Sequence, residues 1–257
     1  PVYLYRLTNA FGKWSRPDYN SAVATFCHHI ARGLPVTVTD PARVLRLNYI
    51  DDIVAEFLRA LDGRATAGED GFCRVEPEHE VTLGRIVALL QGFRDGRETL
   101  TLPDQRDEFT RKLYATYESF LPEDGFACRP VTHADARGSF TELLHMDGYG
   151  QVSVNVQKPH SLKGEHWHHT KFEKFVVVAG RGVIRLRNVC GGAVIDYPVD
   201  GETPAVVDAP PGYTHSIENL GDTDMVTLIW ASEVYDPDRP DTYRMSVMPD
   251  AEGRSER

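Results

Sequence analysis

The sequence predicts an α+β protein, in which an N-terminal α/β half is followed by an all-β jelly-roll barrel. In the first half, apolar residues recur at helical spacing, most clearly over residues 49–61. From residue 151 to residue 247 the pattern changes to short alternating strands separated by Gly, Pro and Asp turns, which is typical of a small antiparallel barrel. A dense group of histidines in the second half points to a metal site.

The composition is that of an ordinary globular protein. The 257 residues are 41% hydrophobic and 26% charged, which allows one large or two modest domains, and we expect two. A formal net charge of −10 argues against a nucleic-acid or anionic-membrane partner, and no apolar run approaches the roughly 18 residues of a membrane span. The four cysteines have no paired spacing and we expect no signal peptide, so the sequence predicts reduced thiols and a cytoplasmic protein.

The first half is expected to alternate short strands with helices. Its expected elements are a buried strand (residues 1–7), a helix capped by Asn20 (20–32), two short strands (36–38 and 43–47) and three helices (49–61, 82–93 and 107–120). Residues 63–77 are rich in Gly, Ala, Glu and Arg, which predicts a loop. Leu121 and Pro122 then break the helical pattern. We therefore expect a first domain over residues 1–125, a second over 126–249 and a disordered tail over 250–257.

The stretches YRLTNAFGKWSRPDYNSAVATFCHHIA and LNYIDDIVAEFLRAL carry a family resemblance. They resemble the C-terminal part of an extended short-chain dehydrogenase/reductase (SDR), which in that family closes over the sugar and contributes residues near the nicotinamide. The resemblance implies that Arg6, Asn9 and Asn20 line a sugar pocket. The alternative, that Asn9 and Asn20 only cap turns, stays open.

The sequence nevertheless lacks the cofactor-binding and catalytic motifs of a reductase. No glycine-rich turn follows a strand, so nothing seats a dinucleotide pyrophosphate on a helix N-terminus, and no Tyr-x3-Lys pair occurs in the right context. We therefore expect the first half to be a remnant of an SDR fold without reductase activity, with NADPH bound only by a full-length form. Truncation is the favoured explanation, and a natural fragment with a catalytically dead reductase half stays open.

Four residues of the second half have the spacing of metal ligands. His166 and His168 lie two apart, which places them on one face of a strand, and Glu173 opens the next strand after a short turn. Its carboxylate can therefore meet both imidazoles. The prolines and glycine before His215 make a tight corner, which returns a third imidazole to the same cavity. Three imidazoles and a carboxylate suit a divalent metal.

These residues resemble the two signatures of the cupin family. The H-x-H-x4-E-x6-G run from His166 to Gly180 has no mismatch, and P-x-G-x2-H-x3-N is almost complete up to Asn219. One position departs from the pattern, because His160 stands where a glycine is expected. The resemblance implies a cupin jelly roll in which the three histidines and Glu173 hold the metal.

The segment DARGSFTE, which ends at Glu142, resembles the D-x-R-G-x-F-x-E segment of the deoxysugar-nucleotide 3,5-epimerases, which are also cupins. In those enzymes the arginine contacts the diphosphate, the aromatic ring packs on the base and the carboxylate helps to read the base. The resemblance implies nucleotide-sugar contacts for Arg137, Phe140 and Glu142, and an arginine fork does match phosphate oxygens. The alternative is a plain alternating strand entered by an Asp-Arg turn.

The two halves in this order, with stretches such as YNSAVATFC, HWHHTKFEKF and ENLGDTDMV, resemble the CapF family of bifunctional capsular-polysaccharide enzymes over essentially the whole chain. The resemblance implies that the cupin half binds zinc and epimerises C3 of a UDP-linked 4-keto-6-deoxy-N-acetylhexosamine. It also implies that the reductase half of the full-length enzyme reduces the C4 ketone with NADPH, on the way to UDP-N-acetylfucosamine.

Inversion of a carbon beside a ketone needs a base on one face of the sugar and a proton donor on the other. The candidates near the ligands are His169, Lys171, Lys163 and Tyr213, with Lys171 first because it lies in the turn between ligands. A structural metal, a dioxygenase with iron, manganese or nickel, and a non-catalytic sugar-binding cupin stay open as alternatives. Because cupin sheets expose edges that pair with a second copy, we also expect a homodimer through the second half.

Overall fold

The computed structural model describes residues 1–249, so the tail predicted over residues 250–257 lies outside the described residues. The chain divides into two compact units, the first ending at Cys128 and the second beginning at Arg129. A single-turn 3-10 helix, Glu123–Gly125, precedes the division. Each unit buries its own hydrophobic core.

The first unit packs a small sheet against helices. Its elements are β1 (Asn9–Phe11), α1 (Ala22–Ala31), β2 (Val44–Tyr49), α2 (Ile50–Leu61), β3 (His79–Thr82), α3 (Leu83–Thr99), β4 (Thr101–Leu102) and α4 (Glu108–Glu118). Strand β2 pairs with β1 in parallel and with β3 in antiparallel fashion. Phe11, Leu90 and Leu113 are among the residues that join these strands to α1, α3 and α4 in one core. The four predicted helices are confirmed, although their identity as an SDR remnant stays a prediction.

Helices α1 and α3 begin or end at residues other than the predicted ones, and capping and packing account for the differences. Ser21, not Asn20, caps α1, because its hydroxyl accepts a hydrogen bond from the Ala24 N–H at 3.2 Å. Helix α3 runs past its expected end at residue 93, and both Phe93 and Gly96, one turn further on, are buried. It ends where Leu100 adopts a left-handed φ of 61°.

Two of the expected strands were wrong. Residues 1–7 form no strand: Tyr5 makes an isolated bridge to Cys73, while Val2 and Leu4 are exposed. Residues 36–38 form no strand either. A short apolar run becomes a strand only where a neighbour accepts its backbone hydrogen bonds, and the local pattern carries no information about that neighbour.

The second unit is an antiparallel barrel of two sheets, and this prediction is confirmed. Its strands are β5 (Thr132–Asp135), β6 (Gly138–Met146), β7 (Gly150–Gln157), β8 (Leu162–Trp167), β9 (Glu173–Ala179), β10 (Arg181–Asn188), β11 (Ile195–Asp200), β12 (Val206–Ala209), β13 (Tyr213–Asn219), β14 (Met225–Ala231) and β15 (Tyr243–Arg244). One sheet has the order β11-β10-β13-β8-β15, and the other contains β12-β9-β14-β7-β6 with β5 paired to β6.

Strand β7 places its polar side chains inside the barrel. Its sequence alternates valine with polar residues, and Gln151, Ser153, Asn155 and Gln157 are each at most 5% exposed. The valines face outward. This polarity is the reverse of an ordinary core strand, and it gives the barrel a hydrogen-bonding interior. The barrel therefore encloses a cavity with polar lining residues beside its apolar core.

Candidate metal centre and its cavity

Strands β8 and β13 bring the first pair of predicted ligands together. His166 and His215 are direct cross-strand partners, and their ring centroids lie 4.5 Å apart. The register shifts just beyond this pair, where Gly164 adopts a φ of 92°. A Cβ at Gly164 would lie 2.7 Å from the His215 carbonyl oxygen, so the close approach of the two ligand strands requires glycine there.

The other two predicted ligands flank the loop between β8 and β9. His168 follows the end of β8, and Glu173 begins β9. The Glu173 Oε2 atom lies 3.4 Å from His168 Nε2 and 3.1 Å from His215 Nε2. One ligand atom from each of His166, His168, Glu173 and His215 lies within 4.8 Å of all the others, so the structure brings together the four residues that the spacing singled out.

The corner before His215 ties the two ligand segments to each other. Gly212 has a φ of 75°, and its N–H donates to the His168 carbonyl at 2.9 Å. Asn219 at the other end of β13 is fully buried, and its amide donates to the carbonyls of Gln157 and Thr223. Asn219 therefore has a structural role. The histidine at position 160 has a φ of 56°, which explains why the cupin signature carries glycine there.

The electrostatics of the cluster suit a cation. Burial, and then the neighbouring His215, lowers the pKa of His166 to about 4, so this imidazole is neutral at pH 7 and offers a lone pair. Burial alone would raise the pKa of Glu173, but its contacts with the His168 and His215 imidazoles outweigh burial and hold that pKa well below its usual range. A buried carboxylate with three imidazoles is a donor set for a divalent transition metal.

The cluster opens into a cavity of about 410 Å³ inside the barrel. Phe175, Ile217 and Ile229 give the cavity an apolar wall. Its polar lining residues are His133, Glu142, Gln151, Ser153, Asn155, Lys163, His166, Lys171, Glu173, His215, Glu233 and Tyr235. This combination of an apolar wall with a few placed polar groups is typical of a small-molecule site.

Lys163 is held in this cavity by the polar face of β7. Its Nζ donates to Asn155 Oδ1 at 2.7 Å and to the Ser139 carbonyl at 3.2 Å. The Asn155 amide donates in turn to Gln157 Oε1 at 3.0 Å, which fixes the direction of the chain of hydrogen bonds. Burial lowers the pKa of Lys163. An ammonium group held by neutral acceptors leaves its charge available to an anion in the cavity.

The predicted proton-transfer residues lie in different places. Lys171 lines the cavity, is 7% exposed, and has its Nζ 3.4 Å from the Pro240 carbonyl. His169 is exposed outside the cavity, with its ring centroid 4.4 Å from that of Trp167. Tyr213 begins β13 and packs against the barrel core, also outside the cavity lining. The geometry thus favours Lys171 over His169 and Tyr213, while the fourth candidate, Lys163, is held by Asn155.

The segment that resembles the 3,5-epimerases forms the β5–β6 hairpin. Phe140 and Glu142 line the cavity, and Glu142 Oε2 lies 3.1 Å from His145 Nε2. Arg137 sits in the turn, where its side chain is about half exposed and pairs with Asp135 at 2.6 Å. The structure therefore brings Phe140 and Glu142 to the metal cavity and leaves Arg137 at the surface turn.

The three sugar-pocket candidates of the first unit are divided between two cavities. Asn9 and Asn20 line one of about 480 Å³ together with Ser15. Arg6 lines another of about 210 Å³, where its guanidinium lies 4.1 Å from the centre of the Phe72 ring. Asn9 and Asn20 are thus brought together, and Arg6 is not placed with them.

Sequence reasoning missed several residues of the barrel cavity. Tyr235 and Glu233 follow the last long strand, in a stretch without a recognisable motif. The Tyr235 N–H donates to Gln151 Oε1 at 2.8 Å, which anchors this stretch to β7. The available signal was the alternation QVSVNVQ, in which every second residue is polar although the strand lies in the barrel.

Comparison with known proteins places the chain in a family. Residues 133–243 match the family described as "Polysaccharide biosynthesis C-terminal domain". CapF of Staphylococcus aureus, a capsular polysaccharide assembling protein of known structure, is 51% identical over 95% of this chain, with a TM-score of 0.92. CapF solved with the inhibitor 3-isopropenyl-tropolone has the same identity and TM-score, and this chain covers 70% of it. The chain belongs to the CapF family.

A curated relative extends the comparison to an enzyme. The UDP-2-acetamido-2,6-beta-L-arabino-hexul-4-ose reductase of Pseudomonas aeruginosa is 43% identical over 96% of this chain. The chain spans 66% of the length of that reductase and 66% of the S. aureus CapF chain. The resemblance to CapF enzymes drawn from the sequence is confirmed. Among the described residues no helix is long and apolar enough to cross a membrane, and the cytoplasmic location stays a prediction.

Proposed function

We propose that this chain is a nucleotide-sugar epimerase of capsular or surface polysaccharide biosynthesis. Its barrel would invert C3 of a UDP-linked 4-keto-6-deoxy-N-acetylhexosamine. The observation that carries the proposal is the buried cluster of His166, His168, Glu173 and His215 at a cavity that also contains Lys163 and Phe140. The name of the P. aeruginosa relative describes a UDP-linked acetamido sugar with a ketone at C4, which supports this substrate class.

The chemistry follows from the ketone. A proton on the carbon beside a carbonyl is weakly acidic, and its removal leaves negative charge on the ketone oxygen. The three histidines and Glu173 would hold a divalent metal, which we propose to be zinc, and it would supply Lewis-acid stabilisation of that charge. Zinc suits this donor set of nitrogen and carboxylate oxygen.

The side chains of the cavity supply the remaining roles. Lys171 is the first candidate for proton transfer at C3. Of the four predicted candidates only Lys171 and Lys163 line the cavity, and Lys163 is already held by Asn155. Tyr235 and Glu142 line the same cavity and are further candidates for proton transfer. Lys163 can pair with a phosphate oxygen, and the Phe140 ring can stack on a base.

The first unit is proposed to belong to a reductase domain of SDR type. In a full-length enzyme it would help to bind the keto sugar, with Asn9 and Asn20 in one pocket, while NADPH reduces the C4 ketone. The name of the P. aeruginosa relative, a reductase of a 4-keto sugar, supports this division. The product would lead towards UDP-N-acetylfucosamine.

Hydrogen exchange at C3 tests the epimerase directly. The purified protein is incubated with a UDP-4-keto-6-deoxy-N-acetylhexosamine in D2O without NADPH, and the C3 proton is followed by NMR. We expect zinc-dependent loss of the C3 proton signal, abolished by His168→Ala because a ligand is removed. The matched control is His160→Asn, an exposed position whose left-handed φ asparagine tolerates, and it should exchange at the wild-type rate.

The outcome separates the proposed function from its alternatives. Absence of C3 exchange by a zinc-loaded wild-type protein would contradict epimerisation. If that protein still binds the nucleotide sugar, a non-catalytic sugar-binding cupin is the better description. Exchange that is equal with and without metal would assign the metal a structural role and the proton transfer to side chains alone.

A further inference from the structure

The loop between β8 and β9 is held by one carboxylate from a distant part of the chain. The backbone N–H groups of His169, Thr170 and Lys171 all donate to the Asp241 carboxylate, at 2.9, 3.0 and 2.9 Å. The Thr170 hydroxyl donates to the same carboxylate at 3.1 Å. Three consecutive peptide groups beside a predicted metal ligand are therefore fixed by a single side chain.

The same residue also contacts the ligand itself. His168 Nδ1 lies 2.5 Å from the Asp241 carbonyl oxygen, and since a carbonyl can only accept, this nitrogen carries the ring proton. The lone pair of His168 Nε2 then faces the cluster, 3.4 Å from Glu173 Oε2. Hydrogen bonds of this kind fix the tautomer and orientation of metal-binding histidines in general.

Asp241 can make both contacts because of an uncommon backbone conformation. Its φ is 40°, in the left-handed region that residues other than glycine rarely adopt, and there its carbonyl and carboxylate face the same loop. The chain that follows is anchored to both ligand strands. Strand β15 pairs with the end of β8, and the Met245 carbonyl accepts from the Thr214 hydroxyl, next to His215 on β13.

We propose that Asp241 is a positioning residue of the metal centre. Its carbonyl orients His168 and its carboxylate fixes residues 169–171, so that the ligand set is assembled before the metal binds. The inference rests on the metal site of the proposed function and adds a residue that contacts neither metal nor substrate. Asp241 lies far from the cupin signatures in the sequence, and its role follows only from the hydrogen bonds.

Metal affinity of the metal-free protein tests the proposal. The dissociation constant for zinc is measured by competition with a chromogenic chelator. We expect Asp241→Asn to weaken zinc binding about 10- to 100-fold, because the amide loses acceptors for the loop. Thr170→Val removes one of the four hydrogen bonds to Asp241, together with a contact to Glu233, and should have a smaller effect. The matched control is Asp238→Asn, an exposed aspartate of the same segment, which should bind like the wild type.

A second measurement distinguishes positioning from general stability. The visible absorption of bound cobalt(II) reports ligand geometry, so Asp241→Asn should change the shape of the spectrum and Asp241→Glu should restore part of it. Unchanged zinc affinity and an unchanged cobalt spectrum in folded Asp241→Asn would overturn the proposal. Should that variant fail to fold, wild-type affinity and spectra in both Thr170→Val and Asp241→Glu would overturn it. A wild-type protein that binds neither zinc nor cobalt would refute the metal centre itself.

Discussion

At the scale of the residue, Glu56 shows how a buried charge can be fully satisfied. It lies on α2 and is 0% exposed, and it accepts hydrogen bonds from the Tyr5 hydroxyl at 2.8 Å and the Thr66 N–H at 2.7 Å. The Thr66 hydroxyl and the Arg59 guanidinium complete the set. Burial alone would raise the Glu56 pKa, but these donors outweigh it and lower the pKa to about 2.

The lowered pKa predicts a dependence of stability on pH. A carboxyl with a folded-state pKa of about 2 and a usual value of 4.5 stabilises the fold by about 3 kcal/mol above pH 4.5, and this contribution is lost as the pH falls towards 2. We therefore expect Glu56→Gln to lower the free energy of unfolding in urea by about that amount at pH 7, and by less at pH 3.5.

The exposed Glu69 provides the control for this prediction. Glu69→Gln should leave the free energy of unfolding within about 0.5 kcal/mol of the wild type. A Glu56→Gln variant as stable as Glu69→Gln at pH 7 would show that the hydrogen bonds around Glu56 do not favour its charged form.

At the scale of the element, β8 shows how one glycine allows two ligand strands to meet. Two features are combined at Gly164: a φ of 92°, and a Cβ position 2.7 Å from the His215 carbonyl oxygen. Gly192 has a φ of 114°, yet a Cβ there would meet nothing within 4 Å. Both positions have a left-handed φ, but only at Gly164 would a side chain crowd the metal centre. Substitutions at the two glycines therefore distinguish the free-energy cost of the backbone conformation from the cost of crowding.

Alanine at these positions should have unequal effects. We expect Gly164→Ala to cost about 2 kcal/mol or more in the free energy of unfolding and to weaken zinc binding, since β8 must move away from β13. Gly192→Ala should cost less and leave zinc affinity unchanged. Equal losses of stability with wild-type zinc binding in both variants would show that the strand contact does not position the ligands.

At the scale of the whole molecule, the outer face of one barrel sheet is apolar. Side chains such as Val206 on β12, Val178 on β9, Leu228 on β14 and Leu144 on β6 are 39–62% exposed on this face. Scattered exposed apolar residues are ordinary, but a contiguous sheet face marks an interaction surface. We propose that a second copy of the barrel covers this face in a homodimer.

Charge on this face should separate the two copies. Light scattering after size exclusion should give twice the chain mass of 28.8 kDa for the wild type at micromolar concentration, and the monomer mass for Leu228→Glu. Leu162→Glu is the matched control, because Leu162 is equally exposed but lies on the other sheet, and it should stay dimeric. A monomeric wild type, or dimeric Leu228→Glu, would contradict this interface.

The candidate site could be predicted from the sequence where its parts are local. The spacing of His166, His168 and Glu173, followed by the corner before His215, identified the cluster because short strands and tight turns fix which side chains share a face. Helices with a clear apolar stripe were identified for the same reason. In α2, however, the burial differs from the prediction: Leu58 and Leu61 of the apolar stripe are exposed, and Glu56 is buried.

The sequence by itself therefore determined the four helices, the antiparallel barrel, the candidate metal cluster and the resemblance to CapF enzymes. Tertiary structure alone decided which face of β7 points inward, since an alternating strand is compatible with either face until its neighbours are placed. It also decided that Lys171 enters the cavity and His169 does not, and that Asp241 holds the ligand loop. These are contacts between segments far apart in the chain, and no local pattern encodes the partner.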